Sequence, residues 1–294
     1  MTNWKIGVLG GSGLYDIDGL EDREDLTVET PWGAPSAPLV SGTIKGISFV
    51  FLPRHGRGHV ESPSSVNYRA NIDALKRVGC TDLLSISAVG SLQEAYAPGD
   101  FVFIDQFIDR TFAREKSFFG PGCVAHVSVA DPICLRMSGL AQQAAEKAGA
   151  KTHKGGTYLC MEGPQFSTRA ESHMYRSWGC DVIGMTNMPE AKLAREAELP
   201  YATVAMITDY DCWREETEAV SVEAVLAVLQ RNSETARQTI INLAEILANK
   251  ERTACAQGID TALDYAIITA PESRDPAIIA KLDAVAGRVL NKES

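Results

Sequence analysis

Two arginines and two histidines fall within six positions in Pro53-Arg54-His55-Gly56-Arg57-Gly58-His59, directly after an apolar run from Ile47 to Leu52. A guanidinium matches phosphate geometry with two parallel charged hydrogen bonds, and a neighbouring imidazole can donate a third. The 294-residue chain has 28 Lys and Arg against 38 Asp and Glu, a formal net charge of -10. Against that charge the cluster reads either as a site for a small anion or as a solvated basic loop. Gly10-Gly11-Ser12-Gly13-Leu14-Tyr15 follows a second apolar run, Ile6 to Leu9. Its backbone N–H groups and the Ser12 hydroxyl can hold an oxyanion, although a tight strand exit needs the same glycines. It is no dinucleotide fingerprint, since Asp16 stands where the third glycine belongs, and no Gly-Lys-Ser/Thr completes a phosphate loop. Two further exits carry hydroxyls: Ser87, beside the Ala88 N–H, after Leu83 to Ile86, and Thr186 after Asp181 to Met185.

Thr208-Asp209-Tyr210-Asp211-Cys212-Trp213 ends the run Tyr201 to Thr208 with two carboxylates, which an extended chain turns to one face. Crowded in an apolar pocket they repel, so one of them holds its proton closer to neutral pH and can act as an acid. Helix capping or solvation is the plain alternative. A calcium loop is excluded, because Arg214 and Val220 occupy the positions that require Gly and Glu. Seven widely spaced cysteines with no Cys-x-x-Cys pair read as reduced thiols, and no metal site is expected.

These groups need elements to hold them at one place. Strand-like runs recur at Ile6 to Leu9, Ile47 to Leu52, Asp82 to Ser87, Phe101 to Asp105, Thr157 to Met161, Asp181 to Met185 and Tyr201 to Thr208. Helical periodicity lies between them, at Asn67 to Val78, Pro132 to Ala148, Thr168 to Trp178, Pro189 to Glu198 and, after the N-cap Ser221, Val222 to Leu247. Such alternation predicts an α/β fold with a mixed or mostly parallel sheet covered on both faces, where ligands sit beyond the carboxyl ends of strands. Ala266-Ile267-Ile268 and a last helix, Ala277 to Leu290, form an appendage. The negative charge argues against nucleic acid or anionic membrane as partners. No run approaches the roughly 20 apolar residues of a membrane span and none reads as a signal peptide, so the expected location is the cytoplasm.

Gly10-Gly11-Ser12-Gly13-Leu14, Pro53-Arg54-His55-Gly56, Ser87-Ala88-Val89-Gly90-Ser91-Leu92, Asp105-Gln106-Phe107-Ile108-Asp109-Arg110-Thr111, Glu162-Gly163-Pro164-Gln165-Phe166-Ser167, Arg169-Ala170-Glu171-Ser172 and Thr208-Asp209-Tyr210-Asp211-Cys212-Trp213 occur in this order. From about residue 5 to about 247 the chain thereby resembles the trimeric purine nucleoside phosphorylase family, and within it the members acting on 5'-methylthioadenosine. The resemblance implies a single-domain, three-layer α/β phosphorylase fold with a mixed, largely parallel, distorted barrel-like sheet flanked by helices. It places a phosphorylase domain at residues 1–250 and a helical extension at 251–294, packing on the core or on a neighbouring subunit. It implies a phosphate site of Ser12, Arg54, His55, Ser87, Ala88 and Thr186. Met185 would lie under the ribose, Phe166 on the purine, and Asp209 and Asp211 at its N7 and amino group, with Asp209 as the catalytic acid. Ser167 and Val222 match positions that tune specificity, and His126 matches a residue offered across a trimer interface to a neighbour's 5' pocket, or else is a surface loop histidine. The implied reaction is phosphorolysis of methylthioadenosine to adenine and methylthioribose 1-phosphate by a homotrimer, or a hexamer built from two. It needs inorganic phosphate as co-substrate and neither cofactor nor metal.

The chain departs from the family in having Ser87 where threonine and Val89 where cysteine are usual, and its match fades after Leu247 to an apolar run such as Ile267 and Ile268. The alternatives are a phosphorylase for 5'-deoxyadenosine, methylthioinosine or 6-oxopurine nucleosides, a hydrolase, and a nucleoside sensor without turnover.

Overall fold

The computed structural model describes residues 4–11, 14, 17–214 and 222–291, and for 222–226 the helix without its side chains. In chain order the elements are β1 (Lys5–Gly10), β2 (Glu21–Leu26), β3 (Leu39–Ile44), β4 (Ile47–Pro53), α1 (Tyr68–Arg77), β5 (Asp82–Ser91), β6 (Phe101–Phe103), β7 (Gln106–Asp109), α2 (Leu135–Lys147), β8 (Thr152–Lys154), β9 (Thr157–Cys160), α3 (Arg169–Ser177), β10 (Val182–Gly184), α4 (Asn187–Glu196), β11 (Tyr201–Asp209), α5 (Val222–Ala248), α6 (Pro276–Lys281) and α7 (Asp283–Leu290).

The central strands are apolar on both faces because both are covered. In β4, Phe49 and Phe51 join one hydrophobic cluster with Met137 and Leu140 of α2 and Ile240 and Leu243 of α5. Their neighbours Val50 and Leu52 join the opposite cluster with Ile72 and Leu75 of α1, Leu193 and Ala194 of α4 and Val285 of α7. Tyr201, Ala205 and Ile207 of β11 likewise face the second cluster, while Ala202, Val204 and Met206 face the first. This period of two makes three layers, helix, sheet and helix, in one α/β domain.

The sheet runs β2-β3-β4-β1-β5-β10-β9-β7, with β11 also on β5 and β6 joining β11 to β8. β1 is parallel to β4 and β5, and β5 to β11, so the carboxyl ends of these four strands share one edge. Asp105 and Gln106 N–H donate to Gly156 O across the corner between the β6–β8 and β7–β9 pairs, which curls the sheet back on itself. The strand path stays open, so barrel-like describes its curl and not a closed ring.

β2 departs from the strands expected from sequence. Its residues Glu-Asp-Arg-Glu-Asp-Leu are almost wholly exposed at the sheet edge, where charge guards against pairing with another chain and leaves no apolar alternation to read. The helix expected over Ala277 to Leu290 is divided into α6 and α7 at the fully buried Leu282. The C-terminal segment is tied to the core by charge: Arg288 donates to Glu198 at 2.6 and 2.5 Å, and Arg252 to Asp82 at 2.6 Å.

Candidate active site

Arg54, His55, Ser87, Ala88, Phe166, Met185, Thr186, Asp209 and Asp211 all line one cavity of about 600 Å³, with Gly11 at its wall. Chain direction explains the convergence. The parallel strands β1, β4, β5 and β11 release Gly11, Arg54, Ser87 and Asp209 at the same edge. β5 continues to Ser91, past the exit expected at Ser87, and its register with β11 shifts between Ile207 and Asp209. At that shift a β-carbon on Gly90 would stand 3.1 Å from Asp209 Oδ1 and 3.4 Å from the Asp211 β-carbon. A side chain there would press on the Asp209 carboxylate by a few tenths of an ångström, while the Asp211 β-carbon would stand at ordinary contact distance.

Arg54 is buried, and its fork is turned to a residue that the sequence motifs passed over. Nε donates to Glu190 Oε2 at 2.6 Å and Nη2 to Oε1 at 3.0 Å; Nη2 also reaches Ser85 Oγ at 2.7 Å and Leu9 O at 3.3 Å. Tyr201 Oη donates to the same Glu190 Oε1 at 2.8 Å. Among the described residues Nη1 meets only Ile86 O, at 3.3 Å, so one of its N–H bonds remains for the cavity. The two parallel bonds expected toward an anion are thus made to Glu190, a fully buried carboxylate of α4.

Glu190 therefore fixes the plane of the guanidinium, and its loss should be read at the anion. Glu190→Gln keeps one acceptor but turns an amide N–H toward the arginine, loosening that plane. The expected result is a phosphate KM raised about tenfold, equivalent to about 1.4 kcal/mol, with the nucleoside KM changed less than about twofold. Steady-state kinetics with each substrate varied in turn checks this, and equal KM shifts for both substrates would reduce Glu190 to a folding role.

Ser87 Oγ lies 3.4 Å from Thr186 Oγ1 and 3.1 Å from Tyr158 Oη, so two hydroxyls from separate strands meet beside Arg54. His55 Nδ1 is 2.9 Å from Glu61 O, and its ring stacks on His59 with centroids 4.3 Å apart. Burial, with the Arg54 guanidinium beside it, pushes the His55 pKa down to about 4.

At the other end, Asp209 Oδ1 accepts from the Asp211 N–H at 2.8 Å and Oδ2 lies 2.7 Å from Thr208 Oγ1. Thr208 Oγ1 is also 3.1 Å from Val89 O. A hydroxyl has one hydrogen, so while it donates to Val89 O it can accept from a protonated Asp209. Asp211 is buried in a left-handed turn at φ 52°, so the two carboxylates share a face through that turn and not along an extended strand. Its Oδ2 has no hydrogen-bond partner among the described residues. Burial is the main cause raising both pKa values, with the Asp209 charge adding to it at Asp211; mutual repulsion, expected to lead, is secondary.

Phe166 stands 62% exposed at the cavity wall, as a group open to a planar ligand. Met185 Sδ would lie 2.5 Å from a β-carbon on Gly163, whose φ of 68° also favours glycine. Arg114, another buried residue that the motifs missed, donates from Nη1 to Met185 O and Met188 O, each at 2.6 Å, and pins this wall. Ser167 does not line the cavity; its Oγ is 3.7 Å from Met161 Sδ behind it. His126 is exposed, its N–H bonded to Ala266 O at 2.8 Å, and does not line the cavity of its own chain. Ser12 and the side chain of Val222 lie outside the described residues. Among the described residues no group of three or more His, Cys, Asp or Glu is placed to hold a metal ion, and no helix is long and apolar enough to cross a membrane.

Residues 5–245 match the model of the phosphorylase superfamily. The chain is 62% identical over 285 residues to an S-methyl-5'-thioadenosine phosphorylase of Cereibacter sphaeroides, covering 97% of this chain and 98% of that protein. It is 57% identical to the one of Bradyrhizobium diazoefficiens, covering 99% of each. Among solved structures, a methylthioadenosine phosphorylase sourced from an antarctic soil metagenomic library superposes with a TM-score of 0.91 at 45% identity, covering 97% of this chain and 99% of that one. The Schistosoma mansoni methylthioadenosine phosphorylase in complex with adenine superposes with a TM-score of 0.83 at 36% identity, covering 92% and 99%. These alignments run through the segment beyond Leu247, where the motifs had faded.

Proposed function

From the phosphorylase superfamily, to which the chain belongs, we infer a pentosyltransferase that cleaves S-methyl-5'-thioadenosine with inorganic phosphate to adenine and 5-methylthioribose 1-phosphate. The observation that supports it best is one cavity with hydroxyls and Arg54 at one end and two buried carboxylates, whose pKa values burial raises, at the other. Cleaving C1'–N9 leaves positive charge on the sugar and negative charge on the base, so opposite ends of the site must answer opposite charges. Phosphate held by Arg54, His55, Ser87, Ala88 and Thr186, and by Ser12 as the family resemblance implies, offsets the sugar's charge and attacks C1'. Asp209 gives a proton to N7, and the C1'–N9 electron pair leaves on a neutral purine. Hydrogen phosphate loses one proton on becoming the ester, which balances the proton the purine gains.

Phe166 covers the base, Met185 the ribose, and Asp211 accepts from the 6-amino group. Ser167 and Val222 tune the fit. His126 serves the 5' pocket of a neighbour in a homotrimer, or in a hexamer of two trimers, since its own cavity is out of its reach. The enzyme is read as cytoplasmic, with small-molecule partners only, and phosphate takes the place of any cofactor. The test incubates methylthioadenosine, adenosine and inosine separately, with and without phosphate. Release of free base that is fastest from methylthioadenosine and absent without phosphate is expected; release independent of phosphate points to a hydrolase, and none under any condition to a sensor.

A further inference from the structure

The imidazole at the anion end is set to accept a hydrogen bond, not to give one. His55 Nδ1 lies 2.9 Å from Glu61 O, and a carbonyl can only accept, so Nδ1 holds the ring's proton. In the neutral ring the lone pair is then on Nε2. Nε2 has no partner among the described residues, and the ring lines the cavity together with Ser87, Ala88 and Thr186. The groups around it do not favour a second proton. Arg54 precedes it in the chain, His59 stacks on it at 4.3 Å, and the Glu190 charge that could offset them is already spent on both Nε and Nη2 of Arg54. Burial with Arg54 adjacent lowers the His55 pKa to about 4, in keeping with a neutral ring.

We propose that His55 Nε2 accepts the O–H of the bound oxyanion and so selects tetrahedral anions that carry a proton over those that do not. Hydrogen phosphate and hydrogen arsenate present that O–H. Sulfate and selenate have the same shape and charge but would set a bare oxygen against a lone pair. Leaving such an acceptor unmatched costs about 1–3 kcal/mol, on the order of 10- to 100-fold in affinity. The contact leaves the reaction's proton count intact. As a phosphate oxygen bonds to C1' and the C1'–N9 pair leaves on the purine, Asp209 protonates N7 and the O–H stays on the new ester, held at Nε2. Solvent takes the ester proton as the product departs and returns one to Asp209.

The proposal rests on the phosphate site inferred above, and the wild-type enzyme tests both separately. With methylthioadenosine as substrate, phosphate and arsenate are compared as co-substrates, and sulfate and selenate as inhibitors competing with phosphate. The expected result is base release with phosphate and with arsenate at KM values within about tenfold of each other, and inhibition constants for sulfate and selenate on the order of 10- to 100-fold higher. Failure of phosphate and arsenate alike to support release overturns the site. Selenate inhibition at concentrations close to the arsenate KM overturns the selectivity alone. His55→Gln, whose amide can turn an N–H to the anion, is expected to bring phosphate and sulfate affinities within about threefold by calorimetric titration, which needs no turnover. Unchanged discrimination in that variant assigns the selectivity elsewhere and overturns the proposal.

Discussion

Asp209→Asn is expected to lower kcat for methylthioadenosine by about 10²- to 10⁴-fold, the usual share of a positioned general acid. The amide fits the same space and can accept from the Asp211 N–H as the carboxyl does, but it has no acidic proton for N7. The effect should fall on kcat and kcat/KM together, because the proton is needed only as the C1'–N9 bond breaks. Burial raises the Asp209 pKa above the ordinary carboxylate value, so the acid form persists to higher pH than it would in water. The sign follows: in the wild type, kcat/KM falls as pH rises through that raised pKa and the proton is lost. This limb should vanish in Asp209→Asn, leaving a low, flatter profile. A variant retaining wild-type kcat would remove Asp209 from the chemistry.

Asp211→Asn should change which purine is used. An ionised carboxylate only accepts, which suits the 6-amino group of adenine, whereas an asparagine amide can donate to the 6-oxo group of hypoxanthine. Asp211 lines the cavity, and its Oδ2 is buried without a hydrogen-bond partner among the described residues, which leaves it available to the 6-amino group of the ligand. A site with such a group rejects a ligand that cannot match it by about 10⁴- to 10⁵-fold at the extreme. The ratio of kcat/KM for adenosine to that for inosine is therefore expected to fall by about 10²-fold or more in the variant. Paired steady-state assays on both nucleosides check this, and an unchanged ratio would place base selection elsewhere.

Much of the site was readable because strand exits announce themselves. Arg54, Ser87, Thr186 and Asp209 each follow an apolar run, and the parallel pairings of β1, β4, β5 and β11 account for the meeting of three of these exits. Glu190 and Arg114 were not readable in this way. Each is a charged side chain made buried by a partner far along the chain, 136 residues for Arg54–Glu190 and 71 for Arg114–Met185, and no local pattern records such a contact. The turn at Asp211 hid a backbone change inside a motif that looked extended. β2 was hidden for the opposite reason, since an exposed edge strand has no core face to print on the sequence. The direction of the His55 hydrogen bond also needed the fold, because only the position of Glu61 O decides which ring nitrogen holds the proton.

The union of a phosphate end and a purine end in one reaction is tested most directly by phosphorus NMR of the working enzyme with methylthioadenosine and phosphate. A new sugar 1-phosphate signal should grow as inorganic phosphate declines, one equivalent for each adenine released. Adenine accumulating while the phosphate signal stays constant would contradict it.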